Sequence, residues 1–271
     1  MNRFRRQVFV GLFSLLAASA AALECRQRFM GLPYFPYLTG WALLAAILIL
    51  ALYNMRKKLP FLPLGRSEHW LQIHIYLGFF TTLLFGIHLN FHPPQGGFDY
   101  CLAGLFILVS ASGVFGLFFS RILPRRLATR GGEVIFENIP LIRNRLRTEA
   151  ENIVLGKEAK SSVLAGFYVV HLAPFFARPK NFWLHLFESR RPLAALLAML
   201  EDQRRFADAI DQEKMFRLEQ LMCQKDGLDY HRALQLTLKT WLFVHIPLTY
   251  GLLIFTVWHI VLVCAFSRGA A

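Results

Sequence analysis

The sequence predicts an all-α membrane protein, built as a four- to five-helix transmembrane bundle with a cytoplasmic helical insertion. Composition is the first observation, because 55% of the 271 residues are hydrophobic and only 17% are charged, against about a quarter in soluble domains. The second is that apolar residues form blocks near the ~20 residues that cross a bilayer. The third is that the net charge of +13 comes largely from basic residues beside those blocks, as in cytoplasmic loops.

Residues 1–23 form the first block, in which the basic segment MNRFRR precedes a short apolar run and a cluster of alanines. This arrangement is typical of an N-terminal transmembrane helix and also of a secretory signal peptide, and both interpretations stay open. Under either one, the chain emerges on the outer side of the membrane at residues 24–34.

Three further apolar blocks occupy residues 35–121, at about 37–53, 69–91 and 100–119. The loop after the first of them and the segment after the last are rich in Arg and Lys, which assigns both to the inner side. The sequence HPPQGGFD between the second and third blocks predicts a short outer turn, because Pro and Gly do not continue a helix.

Residues 122–235 are more polar, and we expect them to form a helical insertion on the cytoplasmic side. Apolar residues at helical spacing predict an amphipathic helix over 138–155. The apolar segment 163–176 is too short to span a bilayer and contains a proline, so we expect it to be interfacial or buried. Apolar periodicity over 192–223 predicts one or two further helices.

The last block, residues 236–266, begins inside and ends outside, in the same direction as the block at 69–91. Each of these two blocks carries a pair of histidines fourteen residues apart, namely His74 and His88 in one and His245 and His259 in the other. Fourteen residues of α-helix return to within roughly 40° of the same face, about 21 Å further along. The two pairs therefore match in both spacing and depth.

Paired histidines at equal depth on two parallel helices provide the axial ligands that a b-type haem needs from opposite sides. We expect two bis-histidine haem b groups, an inner one on His74 and His245 and an outer one on His88 and His259, with irons about 20 Å apart. A single histidine in an apolar helix is as often a polar core residue. Four at matched depth favour ligation, since polar groups inside a membrane are costly.

Other residues near the histidines carry weaker predictions. His92 lies four residues after His88, a spacing that permits a metal or quinone contact, but its position before two prolines favours a helix end. Gly78, Gly86 and Gly251 are candidate contacts for a flat ring or sites of close packing.

Composition also excludes two other classes of site. Nucleic-acid binding is excluded because no recognised motif accompanies the basic charge. An iron–sulfur cluster and covalently attached haem are excluded because the cysteines form neither CxxC nor CxxCH. We expect the cysteines to be packing residues: Cys25, Cys101, Cys223 and Cys264.

On these histidines and this topology, the chain resembles the di-haem transmembrane cytochromes b. It is similar to the membrane domain of ferric reductases and NADPH oxidases, and to cytochrome b of the quinol-oxidising bc complexes, over residues 35–121 and 236–266. The resemblance implies electron transfer across the membrane by bis-histidine haems. The chain departs from both groups, because it contains no GxGxxG, no HPFT-like flavin motif and no PEWY motif.

These departures favour an electron-transfer subunit of an oxidoreductase complex over a complete reductase. We expect it in the bacterial cytoplasmic membrane, in contact with lipid, passing electrons between quinol or an inner-side donor and an outer-side redox protein. That partner would be a multihaem cytochrome or an iron–sulfur protein. The alternative is a non-redox membrane protein, a metal transporter or an assembly scaffold, although the apolar blocks carry few Asp, Glu, Asn or Gln residues.

Overall fold

The computed structural model describes residues 3–29, 34–58, 67–129, 134–155, 162–205 and 207–267. Nearly all of these residues are helical, and none of them forms a β-strand. The all-α class that the sequence predicts is therefore confirmed.

The long helices carry the apolar blocks. Their bounds are α1 Arg3–Phe29, α2 Phe35–Lys58, α3 Ser67–His88, α4 Gly97–Thr129 and, after several shorter helices, α10 Ala209–Ser267. Among the described residues, four helices are long and apolar enough to cross a membrane: Phe35–Asn54, Glu68–His88, Gly97–Ala128 and Ala209–Phe266. Such helices satisfy their own backbone hydrogen bonds, which is what an integral membrane protein requires.

The chain divides into two compact units. The first, which we call the bundle unit, comprises Met1–Leu117 and Trp241–Ala271. The second, the insertion unit, comprises Phe118–Thr240 and contains the whole predicted insertion at 122–235.

The bundle unit packs through apolar side chains from α2, α3, α4 and the last part of α10. Its buried core consists of Leu43, Ile47, Leu84, Phe106 and Leu252. The rings of Phe85 and Phe106 stack with centroids 4.0 Å apart, which joins α3 to α4. Helix α1 also contacts α3, and Arg26 near its end donates a hydrogen bond to the Asn90 side chain at 2.7 Å.

The insertion unit has a hydrophobic core of its own. A single turn at Phe136–Asn138 leads into α5 Ile139–Leu155, followed by α6 Ser162–Phe167, a π-helical turn Tyr168–Leu172, α7 Ala173–Ala177, α8 Phe182–Leu186 and α9 Arg191–Arg204. Ile139, Leu146, Ala150 and Val154 are buried at helical spacing on α5, as expected for an amphipathic helix. Most apolar side chains of 164–176 are buried in the same core, whereas Val169 and Val170 are exposed, so the segment is buried on one face.

Helix α10 is longer than the sequence pattern predicts. The apolar periodicity over 192–223 and the block at 236–266 suggest separate elements, yet a single helix of 59 residues runs from Ala209 to Ser267. Between 223 and 236 the composition changes, but the only residue that disfavours a helix is Gly227, which costs about 1 kcal/mol. The helix also continues through Pro247, which removes one backbone hydrogen bond without ending it.

The cysteine expectation is wrong, because all four cysteines are exposed rather than packed. Cys101 and Cys264 lie on apolar helices, on faces that the bundle unit does not cover. A thiol behaves as a small apolar group, and so it is compatible with a helix face that contacts lipid.

Candidate functional site

The candidate site comprises the four histidines of the bundle unit. His74 and His88 lie on α3, His245 and His259 lie on α10, and each side chain is partly buried. Each has an identifiable neighbour on an adjacent helix, and for His88, His245 and His259 that neighbour is an oxygen atom facing Nδ1.

His88 packs against the beginning of α2. Its Nδ1 lies 3.1 Å from Oγ1 of Thr39, whose hydroxyl donates to the carbonyl of Phe35 or Pro36 at 3.1 and 3.0 Å. With its proton donated to either carbonyl, the Thr39 oxygen can accept a hydrogen bond from Nδ1 of His88. In that tautomer the lone pair of His88 resides on Nε2, the atom that a metal ion would bind.

The His88 ring also depends on Gly40. A methyl group at residue 40 would lie 3.2 Å from Cε1 of His88, closer than carbon atoms in ordinary contact. The imidazole can therefore lie against the α2 backbone only because residue 40 has no side chain.

His259 packs against the first turn of α4. Its Nδ1 lies 3.2 Å from Oδ1 of Asp99, and its ring is nearly parallel to that of Phe98, with an angle of 8° between the planes and centroids 6.5 Å apart. An ionised carboxylate is an acceptor only, which favours a proton on Nδ1 and again leaves Nε2 unprotonated. When a histidine binds a metal ion through one ring nitrogen, its other ring nitrogen commonly donates a hydrogen bond to a carboxylate.

His245 packs against the middle of α4, within the small-residue sequence SASGVFG. Its Nδ1 lies 3.1 Å from Oγ of Ser112, and a methyl group at Gly113 would meet its Cε1 at 3.8 Å. Its ring stacks on Trp241 at 5.5 Å, and the Trp241 indole N–H donates to the Ser112 carbonyl at 2.8 Å. The small residues of α4 thus accommodate two aromatic rings of α10.

His74 has an aromatic neighbour on α2. The rings of His74 and Tyr53 have centroids 5.1 Å apart and are tilted by 40°. One residue further on, Asn54 donates a hydrogen bond to the Tyr250 hydroxyl at 3.2 Å. The end of α2 therefore lies at the depth of His74 and of the α10 turn that follows His245.

These contacts determine the direction of the helices. On α2, Thr39 and Tyr53 are fourteen residues apart and contact His88 and His74, so α2 runs antiparallel to α3. On α4, Asp99 and Ser112 are thirteen residues apart and contact His259 and His245, so α4 runs antiparallel to the last part of α10. Each histidine pair is thus matched by a pair of neighbours at the same or nearly the same spacing.

Of the four histidines, His88 and His259 lie close enough for their charges to interact. For the inner pair the structure shows separate neighbours instead, Tyr53 for His74 and Ser112 for His245.

The weaker candidates from the sequence, His92 and three glycines, differ in what surrounds them. His92 is exposed and its Nδ1 lies 2.7 Å from the Asn90 carbonyl, in the turn that follows α3. Gly86 receives the ring of Phe91, whose Cε1 a methyl group there would meet at 2.8 Å. At Gly78 and Gly251 a methyl group would meet no described atom within 4 Å.

Sequence reasoning missed Thr39, Asp99 and Ser112, whose oxygen atoms face Nδ1 of three of the histidines. Their signal was present, since each is a polar residue inside or at the edge of an apolar block. What the sequence lacked was the register between neighbouring helices, which decides that these residues meet the histidines.

Among the residues that the structure describes, no group of three or more His, Cys, Asp or Glu side chains is placed to hold a metal ion; a bis-histidine haem needs only two protein ligands. Searches of protein-family models, curated proteins and solved structures found no match to this chain.

Proposed function

We propose that this protein is a di-haem b-type cytochrome that carries electrons across a membrane. The observation that supports the proposal most strongly is the orientation of the imidazoles. For His88, His245 and His259, Nδ1 faces an oxygen atom of Thr39, Ser112 or Asp99, at 3.1, 3.1 and 3.2 Å.

That orientation is what axial ligation demands. A histidine that binds iron through Nε2 commonly donates its Nδ1 proton to a nearby oxygen, which selects the tautomer and holds the ring in place. A histidine serving only as a polar core residue needs one partner and has no reason to leave the same ring atom, Nε2, available in three separate cases.

The proposed outer haem has His88 and His259 as ligands, which is supported by the electrostatic interaction between these two side chains. The proposed inner haem has His74 and His245 as ligands. Its support is the matched fourteen-residue spacing on α3 and α10 and the level set by the Asn54–Tyr250 hydrogen bond.

Haem iron supplies a one-electron carrier that the side chains of this chain lack. The residues of the bundle unit would do the rest: the histidines would hold the iron, Thr39, Asp99 and Ser112 would orient them, and the surrounding apolar side chains would exclude water. With carriers at two depths, electrons pass between quinol or an inner-side donor and an outer-side multihaem cytochrome or iron–sulfur protein. We assign the chain to the bacterial cytoplasmic membrane as an electron-transfer subunit of an oxidoreductase complex.

The proposal is tested by producing the full chain in cells supplied with haem and purifying it in detergent. We expect low-spin b-type bands in the dithionite-reduced minus oxidised spectrum and two haems per chain. His88→Ala and His259→Ala are each expected to remove the same haem, and His74→Ala and His245→Ala the other, so that the variants fall into two spectroscopic pairs.

His92→Ala and His171→Ala are the matched controls, because both residues are exposed histidines outside the four-histidine set, and both variants should retain two haems. A preparation without haem, or one in which all four histidine variants keep both haems, contradicts the proposal. Retained pigment in these variants with lost metal uptake would instead indicate the transporter alternative.

A further inference from the structure

The insertion unit presents an aromatic surface around the short helix α8. Trp183, Leu184 and Phe187 point outward there, with Trp183 68% and Phe187 77% exposed. We call these three residues the aromatic tip. Exposing two large aromatic rings to water side by side is unfavourable, so a surface of this kind ordinarily contacts another apolar phase.

The aromatic tip is held by buried contacts on its opposite side. His185 of the same helix is only 2% exposed and lies edge-to-face against Tyr230, with centroids 6.1 Å apart. Arg126 donates a hydrogen bond to the Leu186 carbonyl at 2.9 Å. These contacts fix which face of α8 is buried and therefore which residues project.

The segment before α8 is anchored equally well. The Lys180 backbone N–H donates to Oδ2 of Asp229 at 3.0 Å, and the fully buried Lys225 ammonium donates to the same carboxylate at 2.6 Å and to the Arg178 carbonyl at 3.1 Å. A buried ion pair with its hydrogen bonds made holds this segment strongly, because loss of either partner would leave an unpaired buried charge.

Two left-handed residues make α8 a projection. Asn181 before the helix has φ 61° and Glu188 after it has φ 59°, a conformation in which L-residues are uncommon and asparagine is enriched. The chain therefore turns sharply on both sides of a helix of five residues, and the aromatic tip lies at the end of the resulting loop.

The surroundings of the aromatic tip are strongly basic. Four exposed cationic residues flank it, which we call the basic rim: Arg178, Lys180, Arg190 and Arg191. The acidic residue of this stretch, Glu188, is engaged by Arg126 at 3.2 Å and accepts a hydrogen bond from Tyr230 at 3.3 Å. The rim thus has an excess of positive charge that faces outward.

We propose that the aromatic tip inserts into the interfacial layer of a bilayer and that the basic rim binds the phosphates of anionic phospholipid. Trp and Phe with flanking Lys and Arg are the composition of interfacial membrane-binding segments, in which the rings enter the headgroup boundary and the cations contact negative lipid. Anionic lipid attracts such residues only within about a Debye length of the surface. The insertion unit is also joined through α4 and α10 to helices long and apolar enough to span a bilayer.

This inference does not depend on haem. It is tested on the full chain with its four native cysteines replaced by serine, reconstituted into vesicles of phosphatidylcholine with or without phosphatidylglycerol. Trp183→Cys carries a polarity-sensitive fluorophore, and lipids with brominated acyl chains act as quenchers. Ile210→Cys is the matched control, because Ile210 is 73% exposed in the same unit but the cations near it, Arg205 and Lys214, are paired with Asp202 and Asp211.

We expect the label at residue 183 to be blue-shifted and quenched by the brominated lipid, at least threefold more than the label at 210, and more strongly with phosphatidylglycerol. Substituting Lys180, Arg190 and Arg191 by Gln should remove that dependence on anionic lipid. Equal quenching at the two positions overturns the proposal. A blue-shifted label at 183 that brominated lipid does not quench also overturns it, because a protein surface would then cover the aromatic tip.

Discussion

The three oriented histidines differ in the charge of their partners. Thr39 and Ser112 offer neutral hydroxyl oxygens to His88 and His245, whereas Asp99 offers a carboxylate to His259. A negative charge beside Nδ1 increases the electron density on Nε2, and an electron-rich ligand stabilises oxidised iron over reduced iron. In the proposed di-haem arrangement, Asp99 would therefore lower the reduction potential of the outer haem.

Replacing Asp99 by Asn tests this effect at the scale of one residue. The amide retains the shape of the side chain but removes its charge, so the midpoint potential of one haem should rise by about 59 mV if the reduction equilibrium changes tenfold. A potentiometric titration of the purified protein measures the shift.

Asp99→Glu is the control, because it restores the charge and should restore most of the original potential. His259→Ala identifies which haem is affected. If Asp99→Asn retains two haems and moves neither potential, the carboxylate has no electronic role.

At the scale of elements, the close approach of α4 and α10 depends on small residues. A methyl group at Gly116 would collide with the indole ring of Trp241, which is fixed by its hydrogen bond to the Ser112 carbonyl and stacks on His245. The two helices can keep this separation only if residue 116 has no side chain.

Gly116→Ala is therefore expected to destabilise the bundle unit by ~1–3 kcal/mol through overpacking. It should also displace Trp241 and so weaken the haem site that we assign to His245. Thermal unfolding in detergent and the haem content of the purified protein measure the two effects.

Gly104→Ala is the matched control on the same helix, because a methyl group there meets no described atom within 4 Å. It should be neutral or slightly stabilising, as Ala favours helix over Gly. Equal melting temperatures for the two variants would show that the Gly116–Trp241 contact does not limit helix packing.

At the scale of the whole molecule, the question is which side of the membrane the insertion unit occupies. The Arg and Lys residues at the ends of α2 and α4 predict the cytoplasmic side. The turn after α3 should then lie on the opposite side.

Cysteine labelling distinguishes the two sides. With Cys25, Cys101 and Cys264 replaced by serine, Cys223 is the remaining thiol and is exposed in the insertion unit. We expect a membrane-impermeant maleimide to label it only after cells are permeabilised. A cysteine introduced in place of the exposed Gln95 in the turn after α3, with Cys223 also replaced by serine, should be labelled in intact cells. Labelling of Cys223 in intact cells would place the insertion unit outside.

The sequence by itself determined the helical class and the apolar spans, because both follow from local quantities: side-chain hydropathy, length of an apolar run and the periodicity of one helix. It also predicted that the two histidines of each pair lie near the same face of one helix, since a fourteen-residue step on a helix is a property of one segment. The amphipathic α5, with Ile139, Leu146, Ala150 and Val154 buried, is a confirmed prediction of the same kind.

Tertiary structure decided what lies beside each histidine. Thr39, Asp99 and Ser112 are distant in sequence from the imidazoles that they contact, and only the antiparallel register of α2 with α3 and of α4 with α10 brings them together. It likewise decided that Trp241 packs against Gly116. It also decided that the aromatic tip is exposed next to a segment anchored by a buried ion pair. Register depends on the packing of two helices at once, and the periodicity of a single segment carries no information about it.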